Sequence, residues 1–287
     1  MSVDARKGAA GRSHDGARQP ASANPLRPEG DLGQPTYLAV SLDLWYTALY
    51  HIPGADKKWD EDRLSAAGEL LRLPDGGTPA IPAIATAMEQ VNEHLAASGL
   101  NPGKIDPGAL LLQCAARLGA DLRVGPDEAA ERFSSAGLTE HPPEVNPEAV
   151  VLVRARRSKE VPVILLSNTA RRASSWDRFL RESAGLEFDH ILTSCEVGSA
   201  KPDGRIFRVA SERLGVPPSE ILHVGDRWEL DVEGALGAGF GAALYRGLSH
   251  RYPEGMYPAT DPGVIGSSRV RCIDRLDELL DGSVRSP

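Results

Sequence analysis

Ile221-Leu-His-Val-Gly225-Asp226-Arg-Trp-Glu-Leu-Asp231 decides the fold. A short apolar run ends at a glycine, a carboxylate follows at once, and a second carboxylate comes five residues later. Short apolar runs bounded by turn residues read as buried parallel strands. Working outward, three more segments precede it in order: Leu38-Ala-Val-Ser-Leu-Asp43-Leu-Trp45-Tyr-Thr47, Val161-Pro-Val-Ile-Leu-Leu-Ser167-Asn168 and Gly198-Ser-Ala-Lys201-Pro202-Asp203. Three of the four set a carboxylate or hydroxyl just after an apolar run. Ligands of open α/β sheets bind outside the carboxyl ends of the strands. Asp43, Ser167 and Asp226 are therefore expected to converge there, with Lys201 nearby. A carboxylate pair, a hydroxyl and an ammonium in one cleft suit phosphoryl transfer through an aspartyl intermediate.

The rest of the chain sorts around these segments. From about residue 147, helix and strand alternate: helices over Pro147–Ser158, Ser175–Ser183, Gly204–Leu214 and Glu229–Ala238, and strands over Val161–Ser167, His190–Thr193, Ile221–Val224 and Gly241–Tyr245. A last strand near Val270–Ile273 leads into a helix over Arg275–Leu280. Such alternation predicts a parallel sheet with helices on both faces. Between the first segment and residue 149 no strand pattern is visible. Helical stretches fill that region over Asp60–Leu71, Ile81–Ala97, Asp106–Leu118 and Pro126–Ala136. In the second, Ile84, Met88, Val91 and Leu95 keep helical spacing while Glu89 and Glu93 take another face. Asp106-Pro107 and Gly125-Pro126 read as helix starts. Residues 1–35 hold almost no bulky apolar groups and are expected to be a disordered tail; a transit peptide is the weaker alternative, and no secretory h-region is present.

Composition narrows the function classes. The 287 residues carry a net charge of −8, which argues against general nucleic-acid binding. The apolar share of 41% is enough for a sizeable core. The three cysteines, Cys114, Cys195 and Cys272, make neither a metal-type pair nor a disulfide framework, so a reducing cytoplasm is the expected compartment. No apolar stretch is long enough to span a bilayer. Gly237-x-Gly239-x-Gly241 follows a helix, where tight packing explains it better than dinucleotide binding.

Taken together, the four segments resemble the four motifs of the haloacid dehalogenase-like hydrolase superfamily. The stretch from Ser167 to Phe240 is especially close in order and spacing. The resemblance implies an α/β, Rossmann-like parallel sheet core over residues 36–47 and 147–287. It implies an inserted all-helical cap over residues 48–146, because Ser167 and Lys201 lie too close in the chain for a cap between them. It also implies a magnesium-dependent hydrolase of a small phosphorylated molecule. Asp43 would be the nucleophile, since a carboxylate needs no deprotonation at neutral pH. Lys201 would neutralise charge between nucleophile and phosphoryl group. Thr47 and Ser167 would contact the substrate's phosphoryl oxygens or orient Asp43, and Asn168 would contact the substrate, with Thr47 and Asn168 also readable as turn residues. Asp43, Asp226 and the backbone carbonyl of Trp45 would hold Mg²⁺, with Asp231 beside them or holding Lys201, and equally readable as a cap or an outward-facing residue of its helix. Arg171 and Arg172 admit two readings, a grip on an anionic substrate tail or a solvated helix start.

One position departs from the pattern. Most phosphatases of the superfamily carry a second aspartate two residues after the nucleophile, as general acid and base. Here Trp45 stands there, and indole can do neither near neutral pH. His51, Lys57, Lys58 or His141 could supply the proton, and the sequence selects none of them. Branches with an aromatic or small residue at this position include metal-free dehalogenases and magnesium-dependent phosphonate hydrolases. A metal-free dehalogenase has no use for both Asp226 and Asp231, which favours the phosphatase. A phosphate-binding protein without catalysis is the remaining alternative. Oligomeric state is not legible.

Overall fold

The computed structural model describes residues 36–52, 54–252, 269–280 and 284. The expected tail over residues 1–35 lies outside them. The apolar runs form six parallel strands: β1 (Ala39–Leu42), β2 (Val163–Ser167), β3 (His190–Thr193), β4 (Ile221–Gly225), β5 (Gly241–Tyr245) and β6 (Val270–Ile273). Their order across the sheet is β6-β5-β4-β1-β2-β3. The chain builds outward from β1 in one direction through β2 and β3, then crosses back to β4 and builds the other way. The order reverses between β1 and β4, which pair in parallel with Leu42 beside Val224. Ligands of doubly wound sheets bind at such a reversal. Asp43 and Asp226 are the residues that leave these two strands.

Side chains of a strand alternate between its faces. Val163 and Leu165 therefore join a core on one side with Trp176, Leu180 and Leu276. Ile164 and Leu166 join a core on the other side with Ile206, Phe207 and Phe240. Every residue of β1, β2, β4 and β5 is buried, as expected of strands covered on both faces.

Residues 55–135 carry four helices: α1 (Ala55–Leu70), α2 (Ile81–Ala97), α3 (Pro107–Leu118) and α4 (Pro126–Ser135). They pack around a core of their own that includes Leu70, Ile84, Leu111 and Phe133. Asp106 caps α3, its carboxylate accepting from the Gly108 and Ala109 amides, and Pro107 occupies the first turn where its missing N–H costs nothing. The sheet side adds α5 (Pro147–Arg157), α6 (Ala173–Ala184), α7 (Ser194–Val197) and α8 (Gly204–Leu214).

Three local expectations differ from the structure. The region expected to hold no strand contains two antiparallel ladders of two residues a side. Leu49–Tyr50 pairs with Glu144–Val145, and Leu71–Arg72 with Asp121–Leu122. Two residues are too few to show a period. The first ladder ties together the points where the chain leaves the sheet side and returns to it. The helix expected over Glu229–Ala238 opens as a π-helical turn, Trp228–Glu233, before a short α-helical piece over Gly234–Gly237. That wide turn folds Asp231 back onto Gly225, as the next section describes. The expected helix over Arg275–Leu280 is a 3₁₀ turn over Leu276–Leu280.

Candidate active site

The site is built at the carboxyl ends of β1 and β4. The Asp43 amide donates to the Val224 carbonyl at 2.8 Å, which continues the ladder and fixes where its side chain leaves the sheet. Asp43 Oδ1 lies 2.5 Å from Lys201 Nζ, and the same ammonium lies 2.5 Å from Asp231 Oδ1. Lys201 is held by its backbone. Its N–H donates to Asn168 Oδ1 at 2.8 Å, and its carbonyl accepts from Asn168 Nδ2 at 2.9 Å. The Lys201–Pro202 peptide is cis. Asn168 thus spends its amide on Lys201, although it also lines the cavity.

Asp231 is the most enclosed member. Its Oδ2 accepts from the Arg227 amide at 2.9 Å, and its Oδ1 lies 3.1 Å from His223 Nε2. A Cβ on Gly225 would sit 2.2 Å from Asp231 Cγ. Only glycine lets the carboxylate lie against the end of β4. The other nitrogen of His223 meets Ser41 Oγ at 2.9 Å. Ser41 and His223 stand in register on β1 and β4. Sequence reasoning gave neither residue a role. The available signal was a polar residue inside each of two apolar runs, Val40-Ser41-Leu42 and Leu222-His223-Val224.

Asp43, Asp226 and Asp231 each offer a carboxylate oxygen within 4.8 Å of the others. All three are nearly shut off from water, at 6%, 5% and 2% exposure, as is Lys201 at 4%. Solvent therefore screens their mutual repulsion little. Burial, together with the neighbouring charge of Asp231, lifts Asp43 to about 6 in spite of Lys201. Burial and the charge of Asp43 push Asp226 well above the usual carboxylate range. Burial would also raise Asp231, but Lys201 and His223 outweigh it and hold this carboxyl well below the usual range. Burial opposes the charge on Lys201, and its two carboxylate partners more than restore it. Burial lowers His223, so its ring is neutral. Three carboxylates thus share one ammonium, and Asp226 Oδ2 is buried without a hydrogen-bond partner. Ionised together, the three carboxylates would exceed the ammonium by two negative charges, and that excess with an orphaned carboxylate oxygen is the environment of a hard divalent cation. The residues present fit Mg²⁺, which takes few carboxylates and keeps its remaining positions for water and substrate.

Asp43, Lys201, Asp226 and Asp231 line one cavity of about 310 Å³ with Asn168 and Trp45. Thr47 and Ser167 are fully buried and lie outside that lining, and their hydroxyl oxygens have no hydrogen-bond partner. Trp45 stacks on His51, with ring centroids 4.1 Å apart and planes 9° from parallel. Trp59 and Trp176 pack against the same indole. Of the four candidate proton sources, His51 lines the cavity. Lys57 and Lys58 are exposed, and His141 lies 2.7 Å from Asp62.

Neither Arg171 nor Arg172 is a solvated helix start. Arg172 Nε and Nη2 donate to the two oxygens of Asp106 at 2.7 and 2.9 Å. Arg171 is buried, and its Nη1 donates to the carbonyls of Ser134 and, at 2.8 Å, Ala136. Both side chains therefore reach into the helical block.

A 2-haloacid dehalogenase from Pseudomonas syringae pv. Tomato DC3000 superposes with a TM-score of 0.53 at 20% identity, over 85% of this chain and 96% of that one. That likeness shows a common fold. A glyceraldehyde 3-phosphate phosphatase of Methanopyrus kandleri is 35% identical over 106 residues, 37% of this chain and 42% of the relative. A phosphoserine phosphatase of Thermus thermophilus is 39% identical over 111 residues, 38% of this chain and 43% of the relative. The matched stretches span less than half the length of these relatives. The haloacid dehalogenase-like hydrolase model matches residues 78–239, which include β2 to β4, Lys201 and both carboxylates of the last motif. With that match over more than half its length, on a sheet of the same fold, the chain belongs to the haloacid dehalogenase-like hydrolase family.

Proposed function

We propose that the chain is a magnesium-dependent phosphohydrolase of small phosphorylated molecules, working through an aspartyl phosphate on Asp43. One observation carries this reading: three buried carboxylates face a single ammonium, leaving a charge that a divalent cation balances. Relatives named as phosphatases of glyceraldehyde 3-phosphate and phosphoserine agree with it. A metal-free dehalogenase would leave Asp226 and Asp43 repelling each other in a dry site.

Asp43, Asp226 and the Trp45 carbonyl would hold the ion, with Asp231 at their side. When bound, Mg²⁺ supplies positive charge against the transferring phosphoryl oxygens. Asp43 attacks phosphorus, the ester oxygen leaves, and water later cleaves the acyl phosphate to free inorganic phosphate. Lys201 Nζ balances charge on the attacking carboxylate and the phosphoryl group. Asp231, neutral His223 and the Asn168 clamp fix that ammonium in place. The Thr47 and Ser167 hydroxyls, unpartnered in this structure, would be free to turn as donors toward the phosphoryl oxygens. The helical block, residues 48–146, acts as a cap over the cavity, on a core formed by residues 36–47 and 147–287. No helix among the described residues is long and apolar enough to cross a membrane, and Cys114, Cys195 and Cys272 form no disulfide with one another; a cytoplasmic setting is part of this reading.

Phosphate release is measured over a panel of phosphorylated metabolites, with Mg²⁺ and with chelator. Turnover that needs Mg²⁺ and disappears in Asp43→Asn is expected, with labelled phosphate trapped on the wild type alone by rapid quench. Halide release in chelator, or turnover by Asp43→Asn, contradicts the proposal.

A further inference from the structure

A second cavity, of about 220 Å³, adjoins the first and shares Trp45 and His51 with it. Its other lining includes two arginines, Arg63 from α1 and Arg171 from the loop after β2. Neither guanidinium ion-pairs with a carboxylate among the described residues. Arg63 lies over the Phe133 ring, 4.6 Å from its centroid, and its Nε and Nη2 are buried with no hydrogen-bond partner. Arg171 lies over the Trp59 ring at 5.0 Å and donates through Nη1 to two backbone carbonyls. Burial and then the like charge of Arg63 weigh on Arg171, and the charges of Asp60 and Asp62 offset them in part; a guanidinium keeps its proton at neutral pH. Asp60 also lines this cavity, but it is exposed and pairs with neither arginine.

Two cations that face one cavity, Arg171 buried and Arg63 half-buried with two orphaned nitrogens, and with Asp60 and Asp62 near but bonded to neither, are costly unless something anionic completes them. Guanidinium forks match the paired oxygens of carboxylate and phosphoryl groups. The flat stack of Trp45 on His51 lies between this cavity and the one that holds Asp43. We propose that Arg63 and Arg171 form a second anion subsite, which binds a carboxylate or second phosphoryl group carried by the same substrate molecule. The preferred substrate is then a phosphate ester with anions at both ends, its middle lying along the Trp45–His51 stack. The inference rests on the phosphohydrolase reading, which places the ester at Asp43.

The test uses non-hydrolysable probes titrated calorimetrically into the full chain with Mg²⁺. They are ω-phosphonocarboxylates of increasing spacer length, their terminal carboxamides and the matching bisphosphonates. At a spacer that fits, the doubly anionic probe is expected to bind roughly tenfold tighter than its carboxamide. The stronger of the carboxylate and bisphosphonate arms identifies the second group. Arg63→Gln removes the preference, and Arg63→Lys keeps part of it. Equal binding of charged and amide probes at every spacer overturns the subsite while the phosphoryl site stands. A preference undiminished in folded Arg63→Gln also overturns it. Failure of every phosphonate to bind overturns both readings. The wild-type comparison decides even where the Gln variant does not fold.

Discussion

Ser41 and His223 stand opposite each other on adjacent strands, Oγ 2.9 Å from Nδ1, and the far nitrogen of the same ring lies 3.1 Å from Asp231. A buried relay of polar groups thus runs from inside the sheet to the carboxylate that holds Lys201. Asp231 only accepts, so the neutral ring carries its proton on Nε2 and accepts from Ser41 through Nδ1. Removing the ring strands a hydroxyl and a carboxylate at once. His223→Leu is expected to cost about 1–3 kcal/mol in urea unfolding. Adding Ser41→Ala should recover part of that loss, because the two sites share one bond. Fully additive costs would show that the relay is not coupled.

The carboxylate cluster predicts a reversal with metal. In chelator, Asp226→Asn removes a buried charge that its surroundings disfavour, so melting is expected to rise by roughly 2–4 °C for each kcal/mol relieved. With Mg²⁺ the order inverts, since the wild type gains stability from the ion and the variant lacks the ligand. Scanning calorimetry of both proteins in both conditions reads this directly. Equal melting shifts on adding Mg²⁺ would remove Asp226 from the metal site.

Asp106 makes a testable contribution to acid stability. Burial raises its carboxyl, but the Arg172 hydrogen bonds and charge outweigh that, and the net shift is downward. A depressed carboxyl stabilises the fold above its unfolded value of 3.8 and loses that contribution as pH falls through the folded value. Asp106→Asn keeps a good helix cap and loses the ion pair. The variant is expected to be less stable at neutral pH by up to about 1 kcal/mol, with the gap closing below pH 3.8. A gap independent of pH would assign the loss to the cap instead.

Trp45 predicts the leaving-group dependence. If no carboxylic acid protonates the departing oxygen, aryl and acyl phosphates turn over far better than alkyl phosphates. Trp45→Asp is expected to raise alkyl phosphate turnover selectively, by up to roughly 10²-fold. It also strips the rings of His51, Trp59 and Trp176 of a neighbour, at a stability cost on the order of 2 kcal/mol. The measurement is kcat/KM against leaving-group pKa for both proteins. A flat dependence in the wild type would mean that another group already donates the proton, with His51 the one of the four candidates lining the cavity.

Strands and long helices were legible because their signals are local. The helix over Ile81–Ala97 and the strands over His190–Thr193 and Gly241–Tyr245 match the expected limits, since periodicity and turn residues bound them without help from distant contacts. The meeting of Asp43, Asp226 and Lys201 was legible because strand ends in a parallel sheet face one way. His223 was not, since its partner Ser41 lies on a strand far away in sequence. The π-helical turn escaped for a related reason: it exists to bring Asp231 onto Gly225, a contact that helical spacing does not encode. Arg171 and Arg172 misled because an arginine pair at a helix start looks solvated until the helices that receive it are in place.

Those two arginines carry one further consequence. They follow directly on Ser167-Asn168-Thr169, so the segment that clamps Lys201 through Asn168 also grips the helical block at two separated points, the end of α4 and the start of α3. Tilting the block away from the sheet means unlatching both grips or dragging that loop along, and dragging it pulls on the Lys201 backbone. The helices and the ammonium are thus mechanically geared. Any displacement of the block relative to the sheet would therefore be felt at the one ammonium that sits between Asp43 and Asp231.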